Sequence, residues 1–266
     1  MEIINQVKAI VMDLDGTLLN NKKEVSERSK GAILSAYEKG ITIIFATARP
    51  PRSVDIFLTK ELQEISSIIY YNGAFIVDNL SGTRKHFPIQ QTIMIEIVYY
   101  LLSTQPETNI SIESEDNWYS YKALNYIQTL RVLANPIVLP LEEFKKVNSS
   151  KILISHCNEY KSIIDQFGDK VNIIQTDSGS LIQIMDKNVS KENAVMDLCM
   201  QKGIEMDYVM SFGDDWNDFN LFKESGFSVA MGNAIPELKQ VASFVTKSND
   251  EEGVAIVIEE VVSQSG

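Results

Sequence analysis

A chain of 266 residues, 44% hydrophobic and 23% charged, has apolar material for about two domains near 150 residues each. Its formal net charge of −12 excludes a nucleic-acid surface built on clustered Lys and Arg, so any anionic ligand must be held by a few local cations or a metal. Cys157, Cys199, His86 and His156 show no disulfide or metal-ligand spacing, which leaves carboxylates, Lys, Ser and Thr to carry the chemistry. No run approaches the about 18 apolar residues of a membrane span and no leader pattern opens the chain, so a cytoplasmic protein with no membrane partner is expected.

The first apolar run, residues 7–12, reads as a buried strand that stops at Asp13-Leu14-Asp15-Gly16-Thr17. Asp-Gly is an ordinary turn signal, yet two carboxylates this close are unfavourable unless a cation stands between them. Ser26 is the expected N-cap of a helix reaching residue 39, with Ile33, Ala36 and Tyr37 on one face and Gly40 at its C-terminal end. A second strand covers 41–46. Strand, helix and strand within forty residues form a βαβ unit with parallel pairing.

In a parallel sheet the strand C-termini share one edge, where open α/β folds bind ligands. Thr47, Ala48 and Arg49, which end the second strand, therefore land beside Asp13. A helix over about 53–62 leads to a third run, 68–71, closed by Asn72-Gly73-Ala74. Asn-Gly is a turn signal that also puts Asn72 on the same edge.

From about residue 82 to 185 the rhythm changes to helices at 89–103, 123–133 and 159–167, interleaved with strands at 109–113, 118–121, 151–156, 171–175 and 181–185. Asp177-Ser178-Gly179 is the expected turn between the last two strands. This pattern implies an inserted α+β domain with a mostly antiparallel sheet, wet on one face and covered by helices on the other. Trp118, Tyr119 and Tyr121 either pack in its core or line a ligand site.

The parallel rhythm resumes with a helix over 191–202, capped by Ser190, whose first turn carries Lys191 against the helix dipole. A strand at 208–212 ends in Gly213-Asp214-Asp215-Trp216-Asn217-Asp218, which would repel itself without a cation. Two short strands at 227–233 and 243–246 and a helix over 251–262 complete the chain. The shared edge thus collects Asp13, Asp15, Thr47, Asn72, Asp214, Asp215, Asn217 and Asp218, with Lys191 and Arg49 nearby. Hard oxygen ligands without His or Cys specify Mg²⁺.

These residues resemble the haloacid dehalogenase superfamily, and within it the Cof-type sugar-phosphate phosphatases with a C2B cap. The resemblance rests on Asp13-Leu14-Asp15-Gly16-Thr17, Thr47, Lys191 and Gly213-Asp214-Asp215-Trp216-Asn217-Asp218, in that order, and covers nearly the whole chain. It implies a Rossmann-like, doubly wound parallel α/β core (1–81 and 186–266) with an inserted α+β cap (82–185) that closes over the site and sets specificity.

It further implies that Asp13 attacks phosphorus to form an aspartyl-phosphate and that Asp15 is the general acid and base, its pKa raised by carboxylate neighbours and partial burial. Thr47 and Lys191 would hold phosphoryl oxygens, with Ala48, Arg49, Asn72 and Asn217 around the phosphate or substrate. Mg²⁺ would be bound by Asp13, Asp15 through its carbonyl, and Asp214, supported by Asp218 and Asp215. Ala48 and Glu192 stand where the family usually has Gly, and Glu192 puts an acid beside Lys191. The implied partner is a small phosphorylated metabolite, with a monomer or weak dimer as the assembly. A hexose phosphomutase and a catalytically idle phosphate-sensing module are the competing readings.

Overall fold

The structure, a computed structural model, describes residues 6–129, 134–157, 159–176 and 180–264. In chain order, β1 (Ala9–Met12), α1 (Glu27–Glu38), β2 (Thr42–Ala46), α2 (Pro51–Phe57), α3 (Lys60–Glu64) and β3 (Ser66–Tyr70) come first. They are followed by β4 (Phe75–Asp78), β5 (Thr83–His86), α4 (Gln91–Thr104), β6 (Asn109–Ser114), β7 (Asn117–Ser120) and α5 (Tyr126–Thr129). Next are β8 (Ile137–Val138), α6 (Leu141–Phe144), β9 (Lys151–Ser155), α7 (Tyr160–Phe167), β10 (Val171–Thr176) and β11 (Leu181–Asp186). The last are α8 (Lys191–Gln201), β12 (Val209–Gly213), α9 (Phe219–Glu224), β13 (Phe227–Ala230), α10 (Pro236–Val241), β14 (Phe244–Val245) and α11 (Gly253–Gln264). They form two compact units, Met1–Lys85 with Ser190–Gly266, and His86–Val189. Among the described residues no helix is long and apolar enough to cross a membrane.

The first unit is an eight-stranded sheet of order β14-β13-β12-β1-β2-β3-β4-β5. β1 pairs in parallel with both β12 and β2, and every residue of β1, β3 and β12 is buried, as expected of strands covered on both faces. This is the expected α/β architecture, and its helices begin where the chain provides caps. Ser26 accepts from Ser29 N at 3.0 Å to open α1, and Gly40, in the left-handed region at φ +84, releases the chain toward β2.

One helix differs from the sequence expectation, and the turn expected after β3 leads into an antiparallel strand. The helix expected over 53–62 is two short helices, because Leu58 is extended and buried, and the Thr59 hydroxyl accepts from Leu62 N at 3.4 Å to start α3 afresh. Beyond β3 the chain reverses, with Tyr71 and Asn72 both left-handed at φ 53, into β4, which pairs antiparallel with β3. Gly73 completes that reversal at φ +116, and a Cβ there would stand 2.4 Å from the Ser190 carbonyl oxygen. Only glycine lets the turn pass this close to the start of α8.

The second unit is a six-stranded sheet of order β10-β11-β9-β6-β7-β8, antiparallel except where β7 meets β8. Period-two alternation sends Ile110, Ile112, Ile152, Ile154, Ile182 and Ile184 into a core with Met94, Ile97 and Val98 of α4 and Ile163 and Phe167 of α7. The opposite face is polar, as expected, but not wet: Ser111, Glu113, Lys151 and Gln183 are buried, with Lys151 Nζ 3.2 Å from Gln183 Oε1. Tyr119 and Tyr121 pack against the apolar core, whereas Trp118 stacks on Tyr126 at 5.3 Å. The expected helix over 123–133 is seen as α5; residues 130–133 and the turn at 177–179 lie outside the described residues.

Asp78, at the end of β4, accepts from Ser67 Oγ at 2.8 Å, Ser81 Oγ at 2.7 Å and Lys202 Nζ at 2.9 Å, joining two strands to the end of α8. Burial would raise its pKa, but the hydrogen bonds from Ser81, Lys202 and Ser67 outweigh it and hold the carboxyl below its ordinary value. A depressed folded-state pKa stabilises the fold above the unfolded value of about 3.9, and that stability is lost as pH falls through the folded value. Asp78→Asn is therefore expected to cost about 1–2 kcal/mol at pH 7 in urea denaturation, with the difference from wild type narrowing as pH falls from about 5 to 3.

Candidate active site

Strand order turns outward in both directions from β1, so the crevice at the C-terminal ends of β1 and β12 is the topological switch point. Met12 is level with Phe212 on one side and Phe45 on the other, and Asp13 N still donates to Phe212 O at 3.2 Å. Asp13 therefore emerges beside the residues that follow β12 and β2.

α8 supplies the cation. Ser190 caps it by accepting from Asn193 N at 3.3 Å, which fixes Lys191 as its first residue. Lys191 is 1% exposed, and its Nζ donates to Asp13 Oδ1 at 2.6 Å and Asp218 Oδ1 at 2.8 Å. The other oxygen of Asp218 accepts from Asp214 N at 3.1 Å and Asp215 N at 3.3 Å, with Asp215 closing a capping box on the same turn. Asp214 Oδ1 accepts from Thr17 Oγ1 at 2.8 Å. Gly16 permits this packing: it is left-handed at φ +77, and a Cβ would lie 2.2 Å from Asp214 Oδ2.

Oxygens from Asp13, Asp214 and Asp218 lie within 4.8 Å of one another. Among the described residues Lys191 is the cation paired with them, through Asp13 and Asp218, so three ionised carboxylates would leave a formal excess of two negative charges. Burial, with help from Asp218 and Asp214 and against the pull of Lys191, pushes the Asp13 carboxyl well above its usual range. Burial and then the Asp218 carboxylate push Asp214 up to about 7. Burial would favour neutral Lys191, but Asp13 and Asp218 outweigh it and keep the amine cationic. Hard oxygen donors, an excess charge of this sign and size, and two carboxyls that resist ionisation are what a divalent cation of the Mg²⁺ type would satisfy.

Asp15 faces elsewhere. Arg49 Nε donates to its Oδ2 and Arg49 Nη2 to its Oδ1 at 2.7 Å, while Lys23 Nζ reaches Oδ1 at 2.6 Å. Burial would raise its pKa, but hydrogen bonds from Arg49 and Lys23 overcome this and hold the carboxyl below its ordinary value. The expectation that carboxylate neighbours raise Asp15 is thus overturned: its neighbours are cations. Arg49, expected near a phosphate, is the main one.

Three strand ends meet beyond the carboxylates. Thr47, after β2, is buried; its hydroxyl accepts from Arg49 N at 3.1 Å and its carbonyl from Asn72 N at 2.9 Å. Asn72, after β3, accepts at Oδ1 from Asn217 Nδ2 at 3.3 Å. Ala48 is half-buried between Thr47 and Arg49. Asp215 is exposed and serves the turn through Trp216 N, 2.8 Å away. Glu192 does not pair with Lys191; it accepts from Asn220 Nδ2 at 3.2 Å.

Sequence reasoning does not single out Thr17, Lys23 or Asn233. Asn233 Nδ2 donates to Gly16 O at 2.7 Å and so ties down the loop between Asp15 and Thr17. Its place three residues beyond β13, on the shared edge, is the signal that could have found it. Thr17 lies inside the first motif, and Lys23 sits in a polar loop that marks nothing.

A family profile described as haloacid dehalogenase-like hydrolase matches residues 10–258. The Bacillus subtilis protein YxeH, whose name classes it as a candidate phosphatase, is 30% identical over 96% of this chain and 98% of its own length. YitU of the same organism, named a 5-amino-6-(5-phospho-D-ribitylamino)uracil phosphatase, is 26% identical over 96% of this chain and 97% of its own. Among solved structures, TM0651 from Thermotoga maritima superposes with a TM-score of 0.85 at 27% identity, covering 96% of this chain and 97% of that one.

If Lys191 balances the buried carboxylates, Lys191→Met in the presence of a chelator should destabilise the protein by about 3–5 kcal/mol in urea denaturation. Adding Asp218→Asn should recover part of that loss; a single variant within about 1 kcal/mol of wild type would contradict the charge balance.

Proposed function

We propose, on the premise that this chain belongs to the haloacid dehalogenase-like hydrolases, that it is a Mg²⁺-dependent phosphatase of small phosphomonoesters, sugar phosphates foremost, working through an aspartyl-phosphate on Asp13. The observation that carries this reading is the Asp13–Lys191 pair of 2.6 Å inside a cluster with two further carboxylates at the switch point. Asp13 is the nucleophile. It directly follows a fully buried strand and stays tied to its neighbour through Asp13 N and Phe212 O, so its position varies little, and Lys191 keeps a cation against the oxygen where phosphoryl charge arrives.

Asp13, Asp214 and the Asp15 carbonyl would hold Mg²⁺, which when bound neutralises phosphoryl oxygens and orients the group for in-line attack. Asp218 acts one step back by seating Lys191 and the backbone of Asp214. Lys191 and Thr47 bind the transferring phosphoryl oxygens, and Asn72 and Asn217, already joined, border the substrate. In the first half-reaction an Asp13 oxygen bonds to phosphorus, the ester P–O bond breaks, and the leaving oxygen takes a proton from the Asp15 carboxyl. In the second, water attacks phosphorus, its proton returns to Asp15, and phosphate leaves Asp13.

The resting Asp15 is the anion, ready for the second half. Protonation for the first half is favoured when the negative charge of a phosphate dianion arrives beside it. The unit His86–Val189, an antiparallel sheet with helices on its apolar face, supports its reading as a C2B-type cap. A relative acts on an alkyl phosphomonoester by name, as YitU does, and this supports the same substrate class here.

The test is phosphate release from 4-nitrophenyl phosphate and a panel of sugar phosphates with Mg²⁺ and with chelator. Turnover is expected only with Mg²⁺, and Asp13→Asn should lower kcat by about a thousandfold or more while the unfolding midpoint stays in the folded range. Folded wild-type protein without turnover on any ester would overturn the reading.

A further inference from the structure

The Asp15 carboxylate is held by a side chain to which the two half-reactions give no task. Arg49 Nε and Nη2 grip its two oxygens, Nη2 at 2.7 Å, and a planar fork of this kind fixes the plane of a carboxyl as well as its position. Arg49 is itself seated on three sides. Its guanidinium carbon lies 4.7 Å from the centroid of the Phe57 ring, its N–H donates to Thr47 Oγ1 at 3.1 Å, and its carbonyl accepts from Tyr71 N at 3.3 Å. Lys23 also reaches Asp15, from a half-exposed side chain, but an ammonium is a point charge and cannot set an orientation.

The contacts divide unevenly between the two oxygens. Oδ1 accepts from both Arg49 Nη2 and Lys23 Nζ, whereas among the described residues Oδ2 accepts from Arg49 Nε alone. A carboxylate oxygen has two lone pairs, so the remaining one is on Oδ2.

We propose that Arg49 is a positioning residue for proton transfer: it holds Asp15 so that Oδ2 faces the leaving oxygen, and it is not a ligand of the phosphoryl group. This inference rests on the phosphatase reading. Proton transfer requires a heavy-atom approach of about 2.6–3.2 Å in a defined direction, and a carboxyl rotating freely about its last bond meets that condition only part of the time. The fork of Arg49 removes that rotation.

The test uses kcat/KM, which reports the step in which the ester bond breaks, across 4-nitrophenyl, phenyl and 4-methoxyphenyl phosphates. The first leaving group departs without a proton; the last needs one. Arg49→Met should lower kcat/KM for the 4-methoxyphenyl ester about tenfold more than for the 4-nitrophenyl ester, with KM for the latter within about twofold of wild type. Arg49→Lys should recover little, and in an Asp15→Asn background Arg49→Met should add no leaving-group dependence.

Equal losses across the series overturn the proposal: with a raised KM they mean that Arg49 binds the phosphoryl group, and with a lowered unfolding midpoint that it only supports the fold. In either case wild-type turnover leaves the phosphatase reading standing. Wild-type protein that releases no phosphate from any ester overturns both.

Discussion

Two buried carboxylates and a half-buried third, gathered at the ammonium of Lys191, are the constraint on which the active-site end of this protein depends. Like charges this close in a low-dielectric setting are strongly unfavourable, and Lys191 offsets only part of the repulsion. Burial first, and the neighbouring carboxylates after it, push Asp13 and Asp214 upward. A site with such an excess of negative charge suits a divalent cation, and on the proposed reading that cation would let it accept a phosphate that the net charge of −12 would otherwise repel.

The fold keeps this arrangement from relaxing. Asp13 continues a strand that is hydrogen-bonded on both sides, Lys191 begins a capped helix, and Asp218 is fixed by the backbone of its own turn. No member can move away without breaking a ladder, a cap or a turn. Asp15 is the contrasting case. Two residues from Asp13, it has been drawn out of the carboxylate cluster by Arg49 and Lys23, so the two neighbouring acids differ in environment and their pKa values are pushed in opposite directions. One motif thereby provides two kinds of carboxylate.

Which residues share an edge was legible in the sequence, because parallel strands all end on one side and apolar runs such as 41–46 stop abruptly at polar residues. The change from continuous to alternating hydrophobicity is the signal for an α+β unit in the middle of the chain, and residues 86–189 form a compact unit with its own six-stranded sheet. What each side chain touches was not. Arg49 turns to Asp15 and Glu192 to Asn220 through rotamers and loop paths that no spacing encodes. The split helix at Thr59 and the reversal through Tyr71 and Asn72 depend on backbone conformations that other residues would also permit locally and that only tertiary packing selects. The polar face of the second sheet was readable as polar, but the burial of Ser111, Glu113, Lys151 and Gln183 on it was not.

The central claim is that the Asp13 carboxylate attacks phosphorus. Protein mixed with Mg²⁺ and excess 4-nitrophenyl phosphate, quenched in acid during turnover and reduced with borohydride, should yield homoserine in place of aspartate at position 13 when its peptides are sequenced by mass spectrometry. Phosphate release with aspartate intact at position 13, or with homoserine at another position, would contradict the account.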